Sequence, residues 1–385
     1  MSRPPTMEDV ARAAGVSRST VSRVFQGGGE RVSPDAMIEV HEAATRLGYV
    51  HNLVASGLAR RHGRQLGLLI RDATNPAYGH LHAEMNRAVE AAGRTLISVT
   101  AFRHDYGTAE VEGLNRLRGQ RVAGIFVGTG VTAAEDLVET VTALPLMIVG
   151  RPNDHPLIES VSYDERAHGR RVAEEIAAAG HRRIAVLSAP LLYSRVFDLR
   201  IRSLLERCRE LGVRTREVPL LPVEQGVVRA LDTARDDGLS CIVCPVDYVA
   251  LDLLRAAAER GVRIPEDVST VGFDGISDGL DLIGLATVRL PVAEVAQEAV
   301  ARMDDLLTRD QAGPDAPPVE SPRTAADEED PAGTGATYGQ DSSGPDAAGG
   351  EGPTPQSPPR ARHAVHAGQF LPGRTLGAPA ELRRG

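Results

Sequence analysis

Hydroxyl and guanidinium side chains are concentrated in a short segment near the N-terminus, where they could contact nucleic acid. Ser17 suits the cap of a helix that would begin at Arg18. Ser19 and Ser22 would then lie near the helix end that normally enters the major groove, and Arg23 lies one turn after Ser19. Such side chains can donate hydrogen bonds to base edges and phosphate oxygens. Their types and spacing indicate a DNA-reading helix.

A second set of polar residues could hold a small molecule. Each member lies at the end of an apolar run or at a helix start, where α/β sheets collect their ligand groups: Asp72, Asn75, Asp164, Arg200, Asp247 and Asp274. Asn75 and Asp274 could equally serve as helix cap and turn residues. Aromatic stacking is available from Tyr78, Tyr193, Phe197, Tyr248 and Phe273. The chain has only seven Tyr, six Phe and no Trp, which leaves open a ligand other than a plain sugar.

Two short helices around a glycine turn at residue 15 must position the first set. Thr6 can cap the first helix, and Glu8 and Asp9 in its first turn suit the helix dipole. Apolar residues at helical spacing would form the seam between the two helices: Val10, Ala14, Val21 and Val24. A third helix is predicted from Ser33 to Gly48, which supplies a stop. Helical hairpins of this kind also occur in proteins that bind no DNA.

The distribution of charge favours the DNA-binding interpretation. Residues 1–65 contain nine Arg and six acidic residues, a net charge of +3, whereas the whole chain of 385 residues carries −9, which leaves −12 for the remainder. A locally basic module on an acidic body is what contact with phosphates requires.

Residues 66–310 alternate short apolar runs with amphipathic helices. Strands are predicted at 66–70, 95–100, 122–127 and 146–149, with helices near 79–92, 108–118 and 133–142. A second series has strands at 184–187, 241–244 and 268–273, with helices near 196–211 and 248–260. Repeats of this kind predict parallel sheets covered by helices, arranged here in two lobes.

These patterns together resemble the lactose-repressor (LacI) family of bacterial transcription regulators, over about residues 5–310. The headpiece at 6–24, the sequence Leu47-Gly48-Tyr49 and the segment 52–59 match that family in order, as do segments 75–78, 180–185 and 264–274. The resemblance implies an all-α helix-turn-helix headpiece at 1–50 and a hinge helix with linker at 51–65. It implies a two-lobed, Rossmannoid, periplasmic-binding-protein-like sensor domain at 66–310.

The resemblance also assigns functional residues. Arg18 and Ser19 take the places of the main base-reading side chains, and Leu58 that of a leucine wedged into the minor groove. The implied DNA contacts are Thr6, Ser17, Arg18, Ser19, Thr20, Ser22, Arg23, Asn52, Val54, Ala55 and Leu58. The predicted effector contacts are Asp72, Asn75, Tyr78, Asp164, Arg200, Asp247 and Asp274. The resemblance supports two of them, since Arg200 resembles the family's effector-contacting arginine and Asp247 its hydroxyl-binding aspartate. The implied partners are near-palindromic double-stranded operator DNA, a small-molecule effector such as a carbohydrate, and a second copy of the chain in a homodimer, with no cofactor.

Several positions depart from the family pattern. Val246 replaces an asparagine and Ser203 a glycine in the sensor domain, and His51 stands where proline is common. Gly57 costs the hinge helix about 1 kcal/mol relative to alanine. A helix this short and weak is expected to form only on the operator, with support from the dimer partner.

The segment 311–362 differs from the rest of the chain in composition. Residues 311–359 contain ten Pro, eight Gly, nine acidic residues and one Arg, without Leu, Ile, Phe or Met. Such a segment cannot bury enough apolar surface to offset its chain entropy, so we expect disorder. It could be a tolerated surface insertion or an acidic interaction arm. A C-terminal strand and tail at 363–385 is expected to close the C-terminal lobe.

Other function classes lack support in the sequence. No apolar stretch of 18 residues and no secretion signal is present, so we expect a soluble, cytoplasmic protein without a membrane partner. Cys241 and Cys244 form a C-x-x-C motif inside an apolar run, which argues against redox or zinc chemistry. Nucleophile-elbow, phosphate-loop and zinc-protease motifs are missing, so no enzyme is predicted. The alternative is a ligand-binding or hydrolytic α/β protein that has merely kept a headpiece.

Overall fold

The computed structural model describes residues 5–25, 32–49, 65–101, 108–129, 137, 144–153, 155–189, 194–312 and 361–379. Four predicted DNA contacts lie outside the described residues: Asn52, Val54, Ala55 and Leu58. So do Tyr193, residues 313–360 of the segment expected to be disordered, and all but Leu137 of the helix expected near 133–142. None of the described helices is long and apolar enough to cross a membrane.

Three helices form the N-terminal headpiece: α1 (Met7–Ala13), α2 (Arg18–Phe25) and α3 (Pro34–Leu47). A capping box starts α1, since the Thr6 hydroxyl accepts a hydrogen bond from the Asp9 amide while the Asp9 carboxylate accepts one from the Thr6 amide. Gly48 ends α3 in the left-handed conformation, with φ of 66°. Val10, Val21 and Val40 are fully buried where the three helices meet.

The N-terminal lobe is a parallel sheet flanked by helices. Its elements are β1 (Gln65–Ile70), α4 (Pro76–Ala91), β2 (Thr95–Thr100), α5 (Thr108–Gly119), β3 (Gly124–Gly128), β4 (Leu146–Val149) and β5 (Glu159–Tyr163). Strands β1, β3 and β4 consist mainly of buried aliphatic residues, as expected of a sheet covered on both faces.

The C-terminal lobe repeats this architecture with a four-stranded parallel sheet in the order β7-β6-β8-β9. Its elements are α6 (Glu165–Ala178), β6 (Arg183–Ser188), α7 (Arg195–Glu210), β7 (Arg214–Pro219), α8 (Val223–Asp236), β8 (Cys241–Val243), α9 (Asp247–Glu259), β9 (Ser269–Val271), α10 (Leu280–Ile283) and β10 (Thr287–Arg289). Cys241 and Cys244 are buried free thiols.

Within the described residues, the chain passes between the lobes three times. The first crossover joins β5 to α6, and the second joins β10 to α11 (Val292–Ala312), which packs on the N-terminal lobe. The third joins β11 (His363–His366) to β12 (Gln369–Leu371). Strand β11 completes the N-terminal sheet, whose order is β11-β5-β4-β3-β1-β2.

The expectation that residues 363–376 close the C-terminal lobe describes only part of what they do. Strand β11 pairs in parallel with β5 of the N-terminal lobe, while β12 pairs antiparallel with β10. Thr375 then donates a hydrogen bond to the Thr270 carbonyl of the C-terminal lobe. The segment 361–379 thus supports both lobes, because β5 offers it a free sheet edge.

Candidate functional site

A cavity of about 690 Å³ lies between the two lobes. Five of the predicted effector contacts line it: Asp72, Asn75, Tyr78, Arg200 and Asp274. Polar residues that sequence reasoning missed also line it: Arg71, Thr129, Arg151, Tyr163, Glu165 and Ser194. Of the aromatic candidates, Tyr78, Phe197 and Tyr248 contribute to the wall. A cavity of this size can enclose a small molecule.

The N-terminal wall consists of residues held by strand ends and by the start of α4. The Asn75 carbonyl oxygen Oδ1 accepts a hydrogen bond of 2.9 Å from the Ala77 amide and caps α4. Asp72 Oδ1 accepts hydrogen bonds from the amide and the hydroxyl of Thr74, at 2.8 and 2.6 Å. Both residues therefore shape a turn and face the cavity, so the cap and binding interpretations do not exclude each other.

Arg200, on α7, is the central cation of the C-terminal wall and is 1% exposed. Its Nε and Nη2 donate to the two carboxylate oxygens of Glu165 at 2.6 and 3.0 Å. Its Nη1 donates to the Pro245 carbonyl at 2.7 Å and to Asp274 Oδ1 at 3.2 Å. The guanidinium also lies over the Phe273 ring, 4.7 Å from its centroid. Three hydrogen-bond partners from different parts of the chain thus fix the guanidinium in the wall.

Glu165 also accepts a hydrogen bond from a buried histidine on the same helix. Gly368 N donates to His168 Nε2 at 2.7 Å, so Nε2 carries no proton. His168 Nδ1 therefore holds the proton and donates to Glu165 Oε2 at 3.4 Å. Burial raises the pKa of Glu165, but the Arg200 charge and these hydrogen bonds lower it to about 2.

Two carboxylates, Glu165 and Asp274, contact this guanidinium, and its charge also acts on a third, that of Asp247. Burial raises the pKa of Asp274, an effect that Arg200 opposes and that Asp247 and Glu165 reinforce. Burial likewise raises the pKa of Asp247 against its hydrogen bonds from Thr287 and Gly275. Burial also raises the pKa of the Tyr163 phenol, which stays a protonated donor in the wall. The cavity wall thus combines fixed donors with one acid, Asp274, whose raised pKa makes it hold its proton more firmly than an ordinary aspartic acid.

Two predicted effector contacts do not line the cavity. Asp247 lies behind the wall, where its carboxylate accepts hydrogen bonds from Thr287 Oγ1 at 2.7 Å and from Gly275 N at 2.6 Å. Asp164 accepts from Ala167 N at 2.8 Å and caps α6. A side chain at a helix start can bond its own helix backbone, as Asp164 does, or groups from a later part of the chain, as Asp247 does. Phe273 is fully buried beneath Arg200.

The headpiece presents its polar residues as the sequence predicts. Ser17 Oγ accepts a hydrogen bond from Thr20 N at 3.1 Å and so caps α2. Ser17, Arg18, Ser19 and Arg23 are exposed, while Thr20 and Ser22 are half-buried beside the buried Val21. The Thr6 hydroxyl donates to Asp9 Oδ2 at 2.6 Å, so the cap of α1 engages it. The N-terminal end of α2 is therefore open to a partner.

Glu165 directly follows Asp164 at the start of α6, and His168 lies one turn later on the same helix. Their spacing of three residues on one helix was the available signal, since it places two side chains on the same face. Among the described residues, no group of three or more His, Cys, Asp or Glu side chains could hold a metal ion.

Comparison with known protein families gives matches to two regions of the chain. Residues 6–52 match the family described as bacterial regulatory proteins, lacI family, and residues 173–325 match the periplasmic binding protein-like domain. The HTH-type transcriptional regulator AscG of Escherichia coli (strain K12) is 29% identical over 314 residues, which cover 77% of this chain and 90% of that relative.

Solved structures show the same fold. A lac repressor dimer bound to operator and the anti-inducer ONPF superposes with a TM-score of 0.71 at 22% identity, covering 98% of this chain and 100% of that one. A complex of the transcriptional regulator CelR with cellobiose superposes with a TM-score of 0.59 at 21% identity, covering 96% and 99%. The headpiece and the two lobes thus occur together in these structures.

Proposed function

Because this chain belongs to the lacI family of bacterial regulatory proteins, we propose that it is a sequence-specific transcriptional repressor controlled by a small molecule. The observation that carries the proposal is the pairing, in one chain, of an open reading helix with a polar cavity between two lobes. Its action on chromosomal operators would take place in the cytoplasm.

The proposed reading surface is the N-terminal end of α2. Arg18 and Ser19 are exposed there and follow the Ser17 cap directly, so they can reach base edges while the cap keeps the helix end rigid. Thr20, Ser22 and Arg23 would support them at the groove walls and phosphates. The cap of α1 engages the Thr6 hydroxyl, so we propose that backbone groups near Thr6, rather than this hydroxyl, contact phosphate.

The proposed effector is a polyhydroxylated molecule such as a carbohydrate. Asp72, Asn75, Arg200 and Asp274 supply acceptors and donors on opposite walls, which suits adjacent hydroxyl groups. Tyr78, Phe197 and Tyr248 could pack against a sugar face. The similar CelR structure contains cellobiose, which supports this ligand class.

The proposed assembly is a homodimer on a near-palindromic site. Leu282 on α10 is 78% exposed and Ile283 is 37% exposed, which leaves a bare apolar patch on the C-terminal lobe. We propose that this patch and α4 face the second copy; the lac repressor structure that superposes on the chain is a dimer, which supports a dimeric assembly. Two headpieces would then read two half-sites.

In vitro selection from random double-stranded DNA with the full chain tests the proposal. We expect enrichment of a near-palindrome. Arg18→Ala should weaken binding to it by about 1–3 kcal/mol and relax one position in each half-site, with little change on random DNA. Arg46→Ala, which alters an exposed arginine at the end of α3, is the matched control and should keep the sequence preference.

Two results would contradict the proposal. Equal loss on selected and random DNA would make Arg18 a phosphate contact. A folded protein that enriches no sequence would favour the other class, a ligand-binding or hydrolytic α/β protein with a retained headpiece. A thermal-shift screen with cellobiose, ribose and other sugars, polyols and nucleosides, comparing the chain with its Asp274→Asn variant, identifies the effector class.

A further inference from the structure

We infer that His168 is a positioning residue through which the effector cavity controls the angle between the lobes. A buried chain of hydrogen bonds runs from Arg200 through Glu165 and His168 to Gly368, and we call these four residues the hinge relay. The inference deepens the proposed function and rests on it, since it describes how a ligand in the cavity would be sensed.

The cavity end of the relay is rigid. Arg200 lines the cavity and grips Glu165 with two parallel hydrogen bonds of 2.6 and 3.0 Å. Arg200 and Glu165 are each 1% exposed, so little water competes for their donors and acceptors. A displacement of the guanidinium by a ligand would therefore move the Glu165 carboxylate with it.

The end of the relay away from the cavity lies on the first and third crossovers between the lobes. Glu165 begins α6 directly after the first crossover, and Gly368 lies in the third, between β11 and β12. His168 is 1% exposed and joins them, donating to Glu165 and accepting from the Gly368 amide. The same two crossovers are also linked directly, since Asp164 N donates to the His366 carbonyl at 2.8 Å.

The second crossover is attached through the other partner of Arg200. Asp274 accepts from Arg200 with its side chain and from Leu290 N with its backbone carbonyl, the latter at 3.0 Å. Arg289 Nε donates to the adjacent Gly275 carbonyl at 3.1 Å. The first and second crossovers therefore each hold or contact a residue bonded to Arg200, and the third reaches Arg200 through His168 and Glu165.

Close packing at Gly368 makes the relay sensitive to position. A Cβ atom added at Gly368 would lie 2.7 Å from His168 Nε2 and closer still to the Arg289 carbonyl oxygen. The third crossover is thus pressed between the imidazole and the second crossover. A shift of the imidazole must be passed on, because there is no space to absorb it.

Hydrogen exchange of the full chain, measured by mass spectrometry on the peptide that contains Gly368, tests the relay. His168→Asn places an amide near Nδ1, so it keeps a donor for Glu165 and removes the acceptor for Gly368 N. We expect exchange at residues 366–369 to become about tenfold faster, as for the loss of one buried hydrogen bond. His168→Gln places its amide oxygen near Nε2 and should leave that amide closer to its original rate.

The decisive variant is Glu165→Gln, which makes no direct contact with Gly368. The relay predicts faster exchange at 366–369 in this variant, and no further increase when Glu165→Gln is added to His168→Asn. His181→Asn is the control, since His181 is equally buried but bonds Ser240 and the Gly377 carbonyl within the C-terminal lobe. It should leave 366–369 unchanged.

The outcomes separate clearly. Unchanged exchange at 366–369 in Glu165→Gln, or fold-changes that simply multiply in the double variant, would overturn the relay and leave His168 a local packing residue. If Glu165→Gln also makes exchange in β8 faster, the substitution has loosened the C-terminal lobe itself. Arg200→Lys then replaces Glu165→Gln in the comparison of single and double variants. The measurement needs neither operator nor effector, so failure of the proposed DNA-binding function would show in the selection experiment alone.

Discussion

The contact between α6 and α7 should tolerate no added methyl group at Gly169. A Cβ atom there would lie 2.9 Å from Leu204 N and closer still to the Arg200 carbonyl oxygen. Lengthening the 2.9 Å contact with Leu204 N to an ordinary contact of 3.4 Å requires the helices to separate by at least 0.5 Å. Both obstacles are backbone atoms of α7, so no side-chain rotation can relieve them.

Two effects of opposite sign decide the stability of Gly169→Ala. Alanine in a helix interior gains about 1 kcal/mol over glycine, while overpacking costs about 1–3 kcal/mol. Because the clash is between backbones, we place it at the upper end and expect a net loss of about 2 kcal/mol. The variant also separates Glu165 and His168 on α6 from Arg200 on α7, which should loosen the hinge relay.

Urea unfolding at fixed protein concentration measures this loss as a lower midpoint with unchanged slope. Gly119→Ala is the matched control, since Gly119 ends α5 and no heavy atom lies within 4 Å of its added Cβ. That variant should match or slightly exceed the unaltered chain. A Gly169→Ala protein as stable as the unaltered chain would show that α6 and α7 are free to slide, and the packing argument would be wrong.

Titration and thiol chemistry give two further predictions. Burial raises the folded-state pKa of Asp274 and Asp247, so the folded protein binds more protons than the unfolded chain above about pH 4. The free energy of unfolding should therefore fall as pH rises toward 8, by up to about 1.4 kcal/mol per pH unit for each acid. Urea midpoints should show Asp274→Asn flattening this fall, and an unchanged slope would contradict it. Glu165, with its lowered pKa, stabilises the protein above about pH 4.5, and that contribution is lost toward pH 2. Burial raises the pKa of Cys208, Cys241 and Cys244, so Ellman's reagent should react with the thiols only at the rate of unfolding; prompt reaction of one thiol would refute this.

The sequence predicts many of the elements that have a clear apolar pattern, but helices α8 and α11 were not predicted although apolar residues recur along them. The helices of the headpiece and helices α4, α5, α7 and α9 begin and end within a few residues of their expected positions. The sequence does not predict strand β5, because Ser160 and Ser162 interrupt its run of buried residues. It does not predict β7 either, because this edge strand carries polar residues along its length. Helix α6 was missed because Arg and Glu occupy much of its surface.

The cavity could be located from the sequence, but not the direction of each side chain. Position at a strand end brought Asp72 and Asp274 to the cavity, since parallel strands end at one edge. The same rule wrongly placed Asp247 there, because Thr287 and Gly275 from a distant part of the chain draw its carboxylate behind the wall. Contacts across such sequence separations depend on the completed fold, which a local pattern cannot encode.

The attachment of residues 361–379 to both lobes has a consequence for biosynthesis. His363 pairs with Ser160, 203 positions earlier, and Phe370 pairs with Val288. Because translation proceeds from the N-terminus, the ribosome has released both lobes' other strands before β11 and β12 emerge. Until then the outer edge of β5 stays unpaired, and an open strand edge can bind another nascent chain or a chaperone. The final structure of both lobes therefore depends on one late event, which contacts of high sequence separation make slow.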